Sequence, residues 1–211
     1  MHSFYFIADL PIIPSLDLGF AFIAASVDAD EIFIKMKDTI LSVIQNYGTR
    51  KINYVLIPFG QQPISNIEST GGFKNILNRL QRPTGDVNLT KAMDAFKSVI
   101  RQSNSMKVLV VMMDKKSSNE QIKVVEAAKI LNDLKVKVVP VGIGRNADPK
   151  ELESIATNKG YLVKTAKDVA PQRLAEIIMD KVLKGKLVQL RSPFCKAYLC
   201  TKHTMKIKWV K

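Results

Sequence analysis

At 211 residues, 46% hydrophobic and 24% charged, the chain is long enough to bury one sizeable core with some length to spare. Ten Gly and nine Pro exclude a collagen-like or low-complexity polymer, and no uninterrupted apolar run reaches the ~18 residues of a membrane-spanning helix. The formal net charge of +13 favours anionic partners, subject to where the basic residues lie.

The first stretch, MHSFYFIADLPIIPSLDLGFAFIAAS, is apolar enough for a signal peptide. It has no Lys/Arg-rich start, however, and Asp9, Pro11, Pro14 and Asp17 interrupt the apolar run. Residues 1–16 therefore read as a lead-in to a first strand, expected over 19–25. A small Ser/Asp-bearing turn follows. Residues 30–46 then place Ile34, Met36, Ile40, Leu41, Val43 and Ile44 at largely helical spacing. A second strand is expected over 51–59, and a short edge strand or loop over 60–72. Residues 89–101 form a helix on Leu89, Met93, Phe96, Val99 and Ile100, ahead of a strand at 107–113. The next helix, 119–134, carries Ile122, Val125, Ala128, Ile130 and Leu134, with Ser117 and Ser118 where an N-cap belongs. After a strand at 136–143, Asp148-Pro149 opens a helix through Ile155, and 160–164 is a short strand. Asp168 with Pro171 starts the last helix, carrying Leu174, Ile177, Ile178 and Val182 and ended by Gly185.

Short, near-continuous apolar strands alternating with helices indicate an α/β fold. The sheet is doubly wound and mostly parallel, with helices on both faces and a ligand crevice at the carboxyl ends of the strands. The domain is expected over 17–185 and a separate appendage over 186–211. Residues 181–211 hold nine basic residues (Lys181, Lys184, Lys186, Arg191, Lys196, Lys202, Lys206, Lys208 and Lys211) and no Asp or Glu, so the tail carries most of the net charge. It reads as a solvated tail or as an electrostatic anchor for acidic glycans, lipid headgroups or nucleic acid. With only Trp209, Phe194 and Tyr198 among these charges, no stacking platform for bases is expected, and no nucleic-acid partner. Cys195 and Cys200 also lie in the tail; they are thiols in a reducing compartment and a possible disulfide in an oxidising one.

Three loops converge at the carboxyl edge: AASVD after the first strand, TGDVNLT before the third main helix, and MDKKSS after the central strand. With them, VVPVGIGRNADPKELESIATNKGYLVKTAKDVAPQRLAEII resembles the second half of a von Willebrand factor type A (VWA) domain, and YVLIPFG resembles its second strand. The resemblance covers about residues 17–185 and implies the Rossmann-like VWA fold. In that family the three loops usually form a metal-ion-dependent adhesion site (MIDAS), with D-x-S-x-S in the first loop, Thr in the second and Asp in the third. Laid onto this sequence, the first Asp falls on Ala24, the first Ser on Ser26 and the second Ser on Asp28; the Thr falls on Val87 and the last Asp on Asp114. Ala24 and Val87 are thus lost ligand positions, and Ser26, Asp28 and Asp114 remain of a degenerate site. Mg²⁺ wants near-octahedral oxygen ligands, so this remnant is expected to hold none tightly, and no cofactor is expected. Asp86, beside Val87, is a further carboxylate in reach. Otherwise Asp28 or Asp30 caps the first helix and Asp114 hydrogen-bonds a loop, with Lys115 and Lys116 beside it lowering cation affinity. Asn88-Leu89-Thr90 is an N-glycosylation sequon in the second loop.

Enzyme chemistry finds no players. G-I-G-R-N-A formally fits a dinucleotide fingerprint but follows a late strand, where a strand-to-helix turn explains it. The two histidines, His2 and His203, fall outside the core. The expectation is a non-enzymatic adhesion or protein-interaction module, secreted, and largely independent of metal. The resemblance implies matrix partners such as collagen. The alternatives are a self-associating structural protein whose basic tail binds acidic polymers, and a Mg²⁺-dependent adhesion domain using Ser26, Asp28 and Asp114.

Overall fold

The computed structural model describes residues 15–183, apart from 49–50, 60, 66–68, 83–86, 101–103 and 166–167. Five parallel strands, β1 (Leu16–Ile23), β2 (Ile52–Pro58), β3 (Met106–Met113), β4 (Val136–Ile143) and β5 (Val163–Thr165), lie in the order β2-β1-β3-β4-β5. The helices among the described residues are α1 (Ala29–Tyr47), α2 (Thr70–Arg79), α3 (Leu89–Val99), α4 (Gln121–Asp133), α5 (Pro149–Ile155) and α6 (Pro171–Val182). None is long and apolar enough to cross a membrane.

The near-continuous apolarity of the strands follows from coverage on both faces. All of β1 is buried, including Asp17, whose carboxylate accepts from Asn53 Nδ2 at 3.0 Å and from Ser105 Oγ at 2.5 Å. On one face Ala21, Ile23, Leu109 and Val111 pack in a common cluster with Phe96 of α3 and with Val124 and Leu131 of α4. On the other, Phe22 stacks on Phe33 of α1 at 5.9 Å between centroids, and Tyr54 meets Phe73 of α2 edge-on at 5.2 Å. Each such fully buried side chain stabilises the fold by about 1.5–3 kcal/mol.

Three sequence expectations need correction. The first strand runs Leu16–Ile23 rather than 19–25, because Leu16 N–H is already bonded to Lys51 O at 3.0 Å and the chain turns after Ile23. Of 60–72, expected as a short edge strand or loop, the described residues make one isolated antiparallel bridge, Ile64 to Leu56, and Thr70 already begins a helix. Ser69 caps that helix, α2, by accepting from Gly72 N–H at 3.0 Å, and Phe73 and Leu77 are its buried residues. On α4 the apolar face is displaced: Val124, Ala127, Ala128 and Leu131 are buried, whereas Ile122, Val125, Ile130 and Leu134 are exposed. Two apolar sets share helical spacing there, and the one with two alanines lets the helix lie closest to the sheet.

Gly19 is fixed by close approach. A Cβ there would stand 2.4 Å from Phe96 Cε2 and 2.6 Å from Cδ2, inside a ring that is wholly buried. Gly19→Ala should cost about 1–3 kcal/mol by overpacking. Urea unfolding should show a lower midpoint at unchanged slope, and Phe96→Leu in the same chain should recover part of the loss.

Candidate functional site

β1 and β3 are neighbours, yet their following helices leave in opposite directions, toward β2 and toward β4. Their carboxyl ends therefore diverge into the crevice where such folds place ligands. Here a side chain of the protein closes it. Asp114, the residue after β3, is buried, and its Oδ1 accepts from Ala25 N–H at 2.8 Å. Oδ2 accepts from Ser26 N–H at 3.0 Å and from Ser26 Oγ at 2.6 Å. Three of roughly four lone-pair directions on the carboxylate are thereby used. Backbone N–H groups in a turn after a strand are a ready anion cradle, and in this protein the anion is internal.

The second and third loops are tied together as firmly. Val87 is buried, and its carbonyl accepts from Ser118 N–H at 2.9 Å and from Ser118 Oγ at 3.2 Å. Ser117 donates its N–H to Glu151 of α5 at 2.9 Å and its hydroxyl to the same buried carboxylate. The two serines are therefore cross-links, and Glu120 takes the N-cap position of α4, contrary to the sequence expectation. Asn88 caps α3, its Oδ1 accepting from Lys91 N–H at 3.0 Å and from Thr90 Oγ at 2.9 Å.

Ala24 is buried at the end of β1, and its carbonyl accepts from Arg82 Nη1 at 3.5 Å. Arg82 Nε also donates to Asp30 at 2.6 Å, so a guanidinium spans the outside of the first loop. Asp28 stands at the N-cap position of α1 without a side-chain cap bond, which corrects the expectation that Asp28 or Asp30 caps this helix. Its backbone (φ −93°, ψ 28°) is not the extended conformation from which a cap side chain reaches the helix N–H groups. Lys115 and Lys116 are exposed, and Lys116 lies 3.5 Å from Asp148, the cap of α5. Asp86, Cys195, Cys200, His203 and the basic tail from Lys184 to Lys211 lie outside the described residues.

Beside the closed crevice is an open cleft of about 880 Å³, bounded by the loops after β1, β4 and β5. Ser26, Asp28, Asp114, Arg145, Lys164 and Asp168 bring its polar atoms, and Ile32 and Leu152 its apolar floor. On α1, burial lowers the pKa of Lys35, against the opposing pull of Asp168 and Glu31. Among the described residues no group of three or more His, Cys, Asp or Glu stands in position to hold a metal ion. Arg82, Arg145 and Lys164 were not singled out by sequence reasoning, and Asp168 was read only as the start of the last helix. Arg145 sits inside G-I-G-R-N-A, where only the glycines carried a signal.

Residues 24–178 match the family model of the von Willebrand factor type A domain. Among solved structures, the chain is similar to proximal thread matrix protein 1 from the mussel byssus with a zinc occupied MIDAS motif. The identity is 16% over 85% of this chain and 47% of that one, at a TM-score of 0.69. It is also similar to the vWF domain of the type V pili tip protein Mfa5 from Porphyromonas gingivalis, at 8% identity over 85% and 97% of the two chains and a TM-score of 0.61. A third likeness is to manganese-loaded TRAP protein from Plasmodium vivax, at 14% identity over 78% and 74% and a TM-score of 0.57. The chain spans about half the length of the mussel protein, 47%.

Asp114→Ala should destabilise the domain by about 1.5–3 kcal/mol, since it removes a charged acceptor from three donors. Ser26→Ala should cost about 1 kcal/mol, because both backbone bonds survive. Urea midpoints for the two variants measure the difference.

Proposed function

Because the chain belongs to the von Willebrand factor type A domain family, we propose that it is a non-enzymatic, secreted adhesion module that binds a matrix protein such as collagen largely without metal. VWA domains act as protein-interaction modules, and the adhesin and matrix neighbours fit that role. The carrying observation for metal independence is the commitment of Asp114. A hard divalent cation wants several free oxygen ligands, at least two of them carboxylates. Here Asp114 spends its oxygens on Ala25 and Ser26, the Ser26 hydroxyl points its proton at Asp114, and Ala24 and Val87 present hydrocarbon. The residues present do not fit a tightly held Mg²⁺, and no step of recognition is routed through one. The ligand surface is instead the loop face itself, kept in shape by hydrogen bonds between its own loops.

Secretion brings the Asn88 sequon into play. The cap bonds on Asn88 are made by Oδ1, whereas a glycan attaches at Nδ2, so cap and sugar are chemically compatible. Protein made in secreting cells should lose mass on enzymatic removal of N-glycans, and an unchanged mass would reject glycosylation at this site.

Immobilised fibrillar collagen, with the protein passed over it in Mg²⁺ or in EDTA, tests the main reading. Affinity should agree within about twofold between the two buffers, and millimolar Mg²⁺ should move the melting temperature by less than about 1 °C. Binding abolished by EDTA would establish the Mg²⁺-dependent alternative, and no binding in either buffer would reject collagen.

A further inference from the structure

The exposed apolar surface of the described domain is concentrated on one helix. Of the large hydrophobic side chains left exposed, Val27 and Ile34 lie on the first loop and on α1, whereas Ile122, Val125, Ile130 and Leu134 belong to α4 or its C-cap. Ile122 is 71% exposed. Single apolar residues on a surface mean little, but four on one helix call for a cause. Packing within the domain does not supply it, since Val124, Ala127, Ala128 and Leu131 already make the contact with the sheet. Nor does helix formation. Ile and Val are poorer helix formers than the Lys, Glu or Gln that would serve on a solvated face.

The charges on the same face have a second property. At about 100° per residue, Glu126, Lys129 and Asp133 lie within about 40° of Ile122 around the helix, with Val125 on one flank and Ile130 on the other. All three charged residues are exposed. Among the described residues none of them makes a hydrogen bond or an ion pair, although both Glu126–Lys129 and Lys129–Asp133 stand at helical pairing distance in the chain. Lys123, at the edge of the face, pairs with Glu120 at 3.2 Å. Helix α4 thus carries Lys123 and Lys129 against Glu126 and Asp133, a balance of signs on a chain whose net charge is +13.

We propose that the outer face of α4 is the contact between two copies of this chain, packed helix against helix about a two-fold axis. Charge selects this occupant. Two copies of so basic a chain repel one another, and they do so least where acids and bases are equal in number. A polyanion or an anionic membrane would meet Glu126 and Asp133, and a cationic partner would meet Lys123 and Lys129. A second copy matches the face by symmetry. Glu126 and Lys129 stand equally far on either side of a point between Ala127 and Ala128, near the middle of the helix. A two-fold axis at that point, with the helices antiparallel, brings Glu126 of each copy level with Lys129 of the other. The two crossed ion pairs fix the register, and burial of Ile122, Val125 and Ile130 drives the association. The contact is small. A helix of 13 residues is about 20 Å long, so it buries well under the ~800 Å² per partner of a stable complex. The dimer is therefore weak, with a dissociation constant on the order of 100 μM, and it forms where the protein is concentrated.

Sedimentation equilibrium of the full chain, from about 10 μM to about 1 mM at physiological salt, tests this. The mean mass should climb from that of one chain toward that of two. Glu126→Lys and Lys129→Glu should each weaken association about tenfold, because each sets like charges against one another. An equimolar mixture of these two variants should recover the parent's association, and so should both changes made in one chain, since acid then meets base again. Ile122→Ser should weaken it several-fold, whereas Ile34→Ser, on α1, should leave it unchanged. The charged residues have no described partners to lose, so melting temperatures of the dilute variants should match the parent's, which separates a lost contact from a lost fold. A mean mass that stays at one chain up to about 1 mM would overturn the proposal, and α4 would then be covered by another protein or by a segment of its own chain. So would association unaltered in Ile122→Ser, or a mixture of the charge variants that stays monomeric. Collagen binding is measured far below these concentrations, so its result stands apart from this one.

Discussion

The contact on which the carboxyl edge of the sheet depends is the one between Asp114 and the first loop. Parallel α/β sheets open a crevice where successive helices depart to opposite sides, and in this order of strands it lies between β1 and β3. An open crevice leaves turn N–H groups unsatisfied, to be answered by water, phosphate, a metal-bound carboxylate or a side chain. This protein answers with a side chain from across the crevice, 88 and 89 residues away along the chain. Charge-assisted bonds to two consecutive N–H groups and a hydroxyl join the ends of the two central strands, in a place sheltered from water.

The other inter-loop bonds extend the same logic outward. Val87 O to Ser118 and Ser117 to Glu151 link the second loop, the third loop and α5 in series. Arg82 braces the first loop from outside through Ala24 O and Asp30. Acids and polar groups at this edge are thus mostly structural, turned toward their own backbone. Val27, Lys115, Arg145 and Lys164, by contrast, are exposed.

The sequence made the architecture readable because buried parallel strands and glycine-marked turns leave strong local signals. The strands at 107–113 and 136–143 and the Asp148-Pro149 start of α5 agree with the structure almost residue for residue. Helix α2 was missed although Phe73 and Leu77 stand at helical spacing, because Gly71 and Gly72 at its start read as a turn. On α4 the pattern was ambiguous in itself, with apolar residues on more than one side. The buried side is chosen by which residues are small enough to approach the sheet, a tertiary matter. The site was legible in part: Ser26, Asp28 and Asp114 are near one another on the edge, and Asp114 does hydrogen-bond a loop, as the sequence reading also offered, but the sequence could not say that the loop is the first one. Nor could it find Arg82 or Arg145, whose positions depend on a loop path and on a single left-handed glycine.

A loop pinned before any partner arrives has a thermodynamic consequence. Ordering a mobile binding loop costs association about 1–2 kcal/mol of backbone entropy per residue fixed, and a free loop pays it at every encounter. Residues 25 and 26 meet that cost once, during folding, through their bonds to Asp114. A partner docking at this edge would therefore meet a fixed shape: the complex would gain from each contact in full, with the selectivity of a surface that does not adapt to whatever approaches.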